Sequence, residues 1–101
     1  MGILTKIIKM MTGSNTDFKE LIDNGATIVD VRSAQEFQSG NAKGSINIPL
    51  QSLESRVNEL KGKEVVLVCL SGGRASSAKS TLERNGIAAY NAGGWQNLNG
   101  L

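Results

Sequence analysis

One cysteine, Cys69, closes an apolar run, and the residues after it are Leu70, Ser71, Gly72, Gly73 and Arg74. A thiol followed by a small-residue bend, an arginine and a predicted helix is a pattern suited to nucleophilic sulfur chemistry. Gly72 and Gly73 open backbone conformations that other residues avoid, so successive N–H groups can turn toward one point. The predicted helix start adds unpaired N–H groups and the positive end of its dipole. Arg74 adds a permanent cation. A free cysteine has a pKa of about 8.5, and helix N-termini or nearby cations lower it to roughly 3.5–7.5. No carboxylate lies between Val65 and Leu82 to oppose that effect. The expectation is a cradled thiolate. The plain alternative is a strand cysteine buried as a small apolar side chain.

Two scarcities narrow the chemistry. The chain has no histidine and a single cysteine in 101 residues. Ser-His-Asp and Cys-His pairs are therefore excluded. A zinc site of the usual Cys/His type is excluded as well, and no metal or other cofactor is expected. A lone cysteine forms no internal disulfide, which suits a reducing compartment, and a cytoplasmic location is expected.

Charge and composition point away from polymers and bilayers. Eleven Lys and Arg face nine Asp and Glu, a net charge of +2. That balance admits a small anionic ligand. No basic stripe interleaved with aromatic residues is present, so nucleic acid is not an expected partner. In Met1–Met11 the apolar run is broken by Lys6 and Lys9 and has no small-residue cleavage site. It is too short to span a bilayer, so no transmembrane segment is expected. Lys6 also stands where a myristoylation pattern wants Ser or Thr. Residues 1–13 read as an amphipathic extension packed on the domain or a partner, with membrane-surface binding as the alternative. Residues 14–101 read as one domain.

The elements that must position the cysteine can be read from periodicity and punctuation. Thr16 or Asp17 to Asp23 reads as a helix with Phe18, Leu21 and Ile22 on one face, stopped by Gly25. Ala26–Val31 reads as a buried strand. Ser33 and Glu36 have capping-box spacing, and Gly40 ends the helix they begin. Ser45–Ile48 reads as a short strand closed by Pro49. Leu50, Leu53, Val57 and Leu60 fall on one helical face that stops at Gly62. Val65–Val68 is apolar throughout, as a parallel strand covered on both faces requires. Arg74–Asn85 reads as a helix with Ala75, Ala78 and Leu82 inward, Ile87–Tyr90 as a last strand, and Asn91–Leu101 as a tail anchored by Trp95. Alternating strands and helices predict an α/β fold with a parallel sheet.

Ligands of open α/β sheets collect beyond the carboxyl ends of the strands. Asp30-Val31-Arg32, Cys69–Arg74 and Asn91–Trp95 are expected there. Asp30 and Arg32 are read as support for the pocket floor. An ion pair between Arg32 and Glu36 is the simplest use of their spacing. Trp95 reads as a core or pocket-wall residue, and Lys43 as a solvated charge.

Four of these segments, in order, resemble the single-domain rhodanese family of thiosulfate sulfurtransferases. Asp30-Val31-Arg32-Ser33-Ala34-Gln35-Glu36-Phe37 is similar to the family's Asp-Val-Arg motif and the Glu-Phe or Glu-Tyr that follows it. Gly40–Pro49 is similar to Gly-His-Ile-x-Gly-Ala-x-Asn-Ile-Pro, with Asn41 in place of the histidine and Ala42-Lys43 in place of Ile-x. Cys69–Arg74 matches the active-site loop, and Gly93-Gly94-Trp95 resembles the C-terminal Gly-Gly motif. The resemblance implies a three-layer domain with a central, mostly parallel sheet flanked by helices.

It also implies double-displacement sulfur transfer. Cys69 would take the outer sulfur of thiosulfate or a related small anionic donor and hold it as a persulfide. A thiol or cyanide would then remove it, with a thioredoxin-like protein among the candidate acceptors. Leu70, Ser71, Gly72, Gly73 and Arg74 would bind the donor. Loop N–H groups would hold the persulfide anion, Ser71 a sulfonate oxygen, and Arg74 the anionic donor and leaving sulfite. Two other readings stay open. Cys-loop-Arg phosphatases and arsenate reductases place one residue more between Cys and Arg than the four found here, and they use a general acid that this chain does not display. A non-catalytic rhodanese-like binding or regulatory module is the other.

Overall fold

The strand that carries the cysteine organises the molecule. The computed structural model describes residues 16–101, and in it β3 (Glu64–Cys69) is buried from Val65 onward. Side chains alternate across a strand. Val65, Leu67 and Cys69 thus enter one core with Leu53, Leu60, Ala75, Ala78 and Leu82. Val66 and Val68 enter a second core with Leu21, Ile28, Ala42, Ala92 and Leu98. A strand with both faces covered needs apolar residues at every position, which explains the unbroken run.

Three other strands complete the sheet. β1 (Thr27–Asp30), β2 (Ile46–Asn47) and β4 (Ala88–Gly94) join β3 in the order β2-β1-β3-β4. All neighbours are parallel. β1 and β3 are therefore the two inner strands, and the carboxyl end of β1 at Asp30 lies beside Val68. The expected three-layer α/β arrangement is present. α1 (Phe18–Asp23) and the terminal 3-10 helix Trp95–Leu98 supply residues to one core, while α3 (Leu50–Leu53) and α4 (Gly73–Arg84) line the other. No helix among the described residues is long and apolar enough to cross a membrane. The expected amphipathic segment Met1–Met11 lies outside the described residues.

The local signals explain the helix ends. Asp17 accepts a hydrogen bond from Glu20 N and begins α1. Ser33 and Glu36 form both halves of the capping box at the start of α2 (Ala34–Gln38). Two elements depart from the sequence expectation. The single helix expected from Leu50 to Leu60 is α3 followed by a 3-10 helix, Glu54–Leu60. Val57 and Leu60 are three residues apart, so the tighter winding still stacks them on one face. The last strand is also longer than expected and runs through Asn91 to Gly94. Pairing with the buried edge of β3 overrides the weak strand preference of Asn and Gly.

Candidate active site

Three strand ends build the site. β3 delivers Cys69, and the chain turns at once through Gly72, whose φ of 103° lies in the left-handed region that favours glycine. α4 begins at the next residue. The turn brings Gly72 N to 2.8 Å and Ala75 N to 3.4 Å from Cys69 Sγ, both donating to sulfur. The sulfur therefore faces the bend and the helix start. Cys69 is nevertheless only 1% exposed, while Leu70 above it is 63% exposed. Ser71 and Gly73 are also exposed. Leu70, Ser71 and Gly73 face solvent, while the sulfur itself is buried.

The end of β4 supports this loop from beside. Asn91 Nδ2 donates to Gly72 O at 3.1 Å, and Asn91 Oδ1 accepts from Gly93 N at 2.8 Å. From sequence, Asn91 opens the tail and belongs to a segment expected beyond a strand end, with no role of its own. Its signal was an Asn before a Gly pair, a setting in which the side chain bonds backbone nearby. Gly94 pairs with Cys69 across the sheet, where the register shifts. A Cβ on Gly94 would stand 2.9 Å from the Leu70 carbonyl oxygen. That is a backbone clash. Gly94→Ala is expected to cost about 1–3 kcal/mol, the usual range for overpacking. It should also displace Leu70, so thiol alkylation of Cys69 in the native state should change along with the urea midpoint.

The carboxyl end of β1 holds a buried ion pair. Asp30 is 0% exposed and Arg32 3%. Arg32 Nε donates to both Asp30 oxygens at 3.0 Å, and Nη2 reaches Oδ2 at 2.7 Å. Arg32 Nη2 also donates to Gly40 O at 2.6 Å, and the guanidinium lies 5.0 Å from the centre of the Trp95 ring. Asn47 Nδ2 donates to the carbonyls of Asp30 and Arg32, fixing the chain on either side of the turn. Asn41, at the position of the family's histidine, donates to Phe37 O at 2.8 Å and closes the end of α2. Lys43 is exposed, as expected for a solvated charge.

These pairings correct two expectations. Arg32 does not pair with Glu36, because Asp30 and Gly40 O occupy its guanidinium. Glu36 instead takes Arg74, with Nη1–Oε1 at 2.7 Å and Nη2–Oε2 at 3.0 Å. A carboxylate thus does reach the cysteine loop, from 38 residues upstream, where no local signal could reveal it. The hydrogen bonds from Arg74, with help from Ser33, lower the Glu36 pKa from 4.5 to about 2. Reciprocally, the Glu36 hydrogen bond raises Arg74, and the charges of Cys69 and Asp30 add smaller contributions in the same direction.

Because the Glu36 pKa is depressed on folding, its stabilisation is complete above pH 4.5 and drains as the pH falls toward about 2. The stability difference between the native protein and Glu36→Gln should be constant at neutral pH and shrink across that acid window. Urea unfolding at several pH values reads it, and a difference that stays flat into acid would contradict the pair. Solvent screening keeps the effect small.

A helix-flanked parallel sheet in which an inner strand ends in a cysteine loop defines the class, and comparison with known proteins supplies the family. A family model described as the rhodanese-like domain matches residues 14–100. The chain belongs to the rhodanese-like domain family. It is 35% identical over 73 residues to YrkF and 41% identical over 71 residues to YqhL, both of Bacillus subtilis (strain 168). Those matches cover 69% and 68% of this chain but 40% and 56% of the two relatives, so the chain spans about half the length of each. It is 31% identical over 74 residues to the thiosulfate sulfurtransferase PspE of Escherichia coli (strain K12), covering 69% of this chain and 71% of that protein. Among solved structures, a rhodanese with anions from E. coli is 28% identical with a TM-score of 0.68, covering 74% of this chain and 93% of that one.

Proposed function

We propose that this protein is a sulfurtransferase that carries sulfane sulfur from thiosulfate or a related donor on Cys69 as a persulfide. The observation that carries the reading is the pair of backbone N–H groups, from Gly72 and Ala75, donating to Sγ. In the first half-reaction the Cys69 thiolate attacks the outer sulfur of thiosulfate. The new S–S bond forms as the old one breaks, and sulfite leaves with the bonding pair: Cys69–S⁻ plus S–SO₃²⁻ gives Cys69–S–S⁻ plus SO₃²⁻. In the second, an acceptor nucleophile such as cyanide or a thiolate attacks the terminal sulfur and restores the Cys69 thiolate. The leaving groups depart as anions, so neither step needs a general acid.

The other residues divide by position. Gly72 and Gly73 shape the bend, and Leu70 and Ser71 form the mouth. Arg74, tied to Glu36, fixes the outer side of the loop, while Asp30 and Arg32 support its floor. Fixed N–H donors favour charge on sulfur without reorganising during the reaction.

Steady-state kinetics with thiosulfate as donor and cyanide as acceptor test the cycle. A double-displacement enzyme gives parallel reciprocal plots. Intersecting plots would mean that both substrates bind together and would exclude a free persulfide form. One observation favours a second reading, a binding module without turnover: the 1% exposure of Cys69. That reading predicts no thiocyanate under any donor concentration.

A further inference from the structure

We propose that Asn91 is a positioning residue for Cys69. Its side-chain amide ties the bend and helix start that carry the two N–H donors to the sheet end that carries the sulfur. The inference rests on the reading of Cys69 as the sulfur carrier and adds a residue from outside the cysteine loop.

Two bodies meet at the sulfur. Cys69 belongs to the sheet, where it pairs with Gly94 of β4. Its donors, Gly72 N at 2.8 Å and Ala75 N at 3.4 Å, belong to the bend and the first turn of α4. Gly72 O joins the two. It accepts from Ser76 N at 2.9 Å, which fixes it to α4, and from Asn91 Nδ2 at 3.1 Å, which fixes it to β4. Asn91 is itself anchored in the sheet. It stands opposite Leu67 in the register, and its Oδ1 accepts from Gly93 N at 2.8 Å. Among the described residues, Asn91 is the side chain outside the loop that hydrogen-bonds the backbone of residues 70–75. Gly72 and Gly73 have no side chains with which to hold the bend, so the tie comes from the neighbouring strand.

The placement of these donors matters because the charges nearby offset one another. Arg74 gives Nη1 and Nη2 to Glu36, and Arg32 is held by Asp30. β4 and α3 carry no charged residue. With each cation beside its own carboxylate, stabilisation of a sulfur anion falls mainly to the N–H groups of Gly72 and Ala75. Hydrogen bonds weaken steeply as distance and angle depart from the optimum. A bend that drifts from the sheet therefore loses its hold on sulfur while the fold persists.

The test compares native protein with Asn91→Ala and Asn91→Ser by two measurements. One is hydrogen exchange of the Gly72 amide, followed by NMR beside the amides of β3. The other is the single-turnover rate at which Cys69 gains sulfur from thiosulfate, followed by intact mass. Serine can still accept from Gly93 N, as hydroxyls do in such turns, but is too short to reach Gly72 O. In both variants the Gly72 amide is expected to exchange about tenfold faster, with far smaller changes in β3, and loading should slow about tenfold. Should the alanine variant fail to fold, the serine variant carries the same comparison. A rise in exchange shared equally by Gly72 and β3 would mean a merely structural asparagine and overturns the proposal. A serine variant that matches the native protein overturns it too, because the effect then lies in the bond to Gly93. If native protein loads sulfur and both folded variants load within about twofold of it, the positioning role falls and the sulfurtransferase reading stands. Native protein that gains no sulfur overturns the sulfurtransferase reading, and the exchange comparison then decides the tie on its own.

Discussion

Cys69→Ser is expected to acquire no sulfur from any donor and to lose turnover by at least about a thousandfold, the scale seen when a nucleophile is removed. The serine oxygen can still accept from Gly72 N, which now bonds sulfur at 2.8 Å, so the loop keeps its main internal tie. It cannot form the S–S bond on which the cycle depends. Stability should change little in comparison, because a small side chain replaces a small one and its hydroxyl has a partner. Circular dichroism and urea unfolding establish that the variant is folded, and thiocyanate formation reads the chemistry. A folded serine variant that still transfers sulfur would move the reaction away from this loop.

The second large effect is on the fold itself. Asp30→Ala is expected to lower stability by about 3–5 kcal/mol, a large share of the ~5–15 kcal/mol that holds a domain together. The cause is the charge left behind. Arg32 is 3% exposed, and Asp30 supplies both oxygens that its Nε and Nη2 use. Removing the carboxylate leaves the guanidinium, among the described residues, with Gly40 O and the face of Trp95. Adding Arg32→Met to Asp30→Ala should recover part of the loss, since the stranded charge goes with it. Thermal and urea unfolding of the two single variants and the double variant form the cycle. Additive costs would mean that the two side chains act independently, contrary to their geometry.

The features legible in the sequence are those that local physics writes. The unbroken apolar run of β3 announces a strand covered on both faces. Ala75, Ala78 and Leu82 fall inward on α4 because their spacing matches the helical turn, and all three are buried. Ser33 and Glu36 form their capping box because it needs only neighbours. The bend after Cys69 was legible for the same reason, since two glycines sit between a strand and a helix.

What was not legible depends on distant partners. Spacing suggests Arg32 with Glu36, but the pairing is decided by where β1 ends and α4 begins in space. Asp30 takes Arg32, and Glu36 is released to Arg74. Asn91 belongs to a stretch too rich in Asn, Ala and Gly to read as a strand, yet pairing with β3 makes it one and aims its amide at Gly72. The switch from α to 3-10 winding at Glu54 likewise leaves no mark, because the apolar spacing of Val57 and Leu60 suits either helix.

The most direct measurement is the mass of the protein after brief exposure to excess donor and removal of small molecules, followed by mapping of the peptide that carries Cys69. One added sulfur atom on that peptide, released on addition of a thiol, is the predicted result. An unchanged mass with a folded, unoxidised protein would contradict the assignment of Cys69 as the atom that carries sulfur.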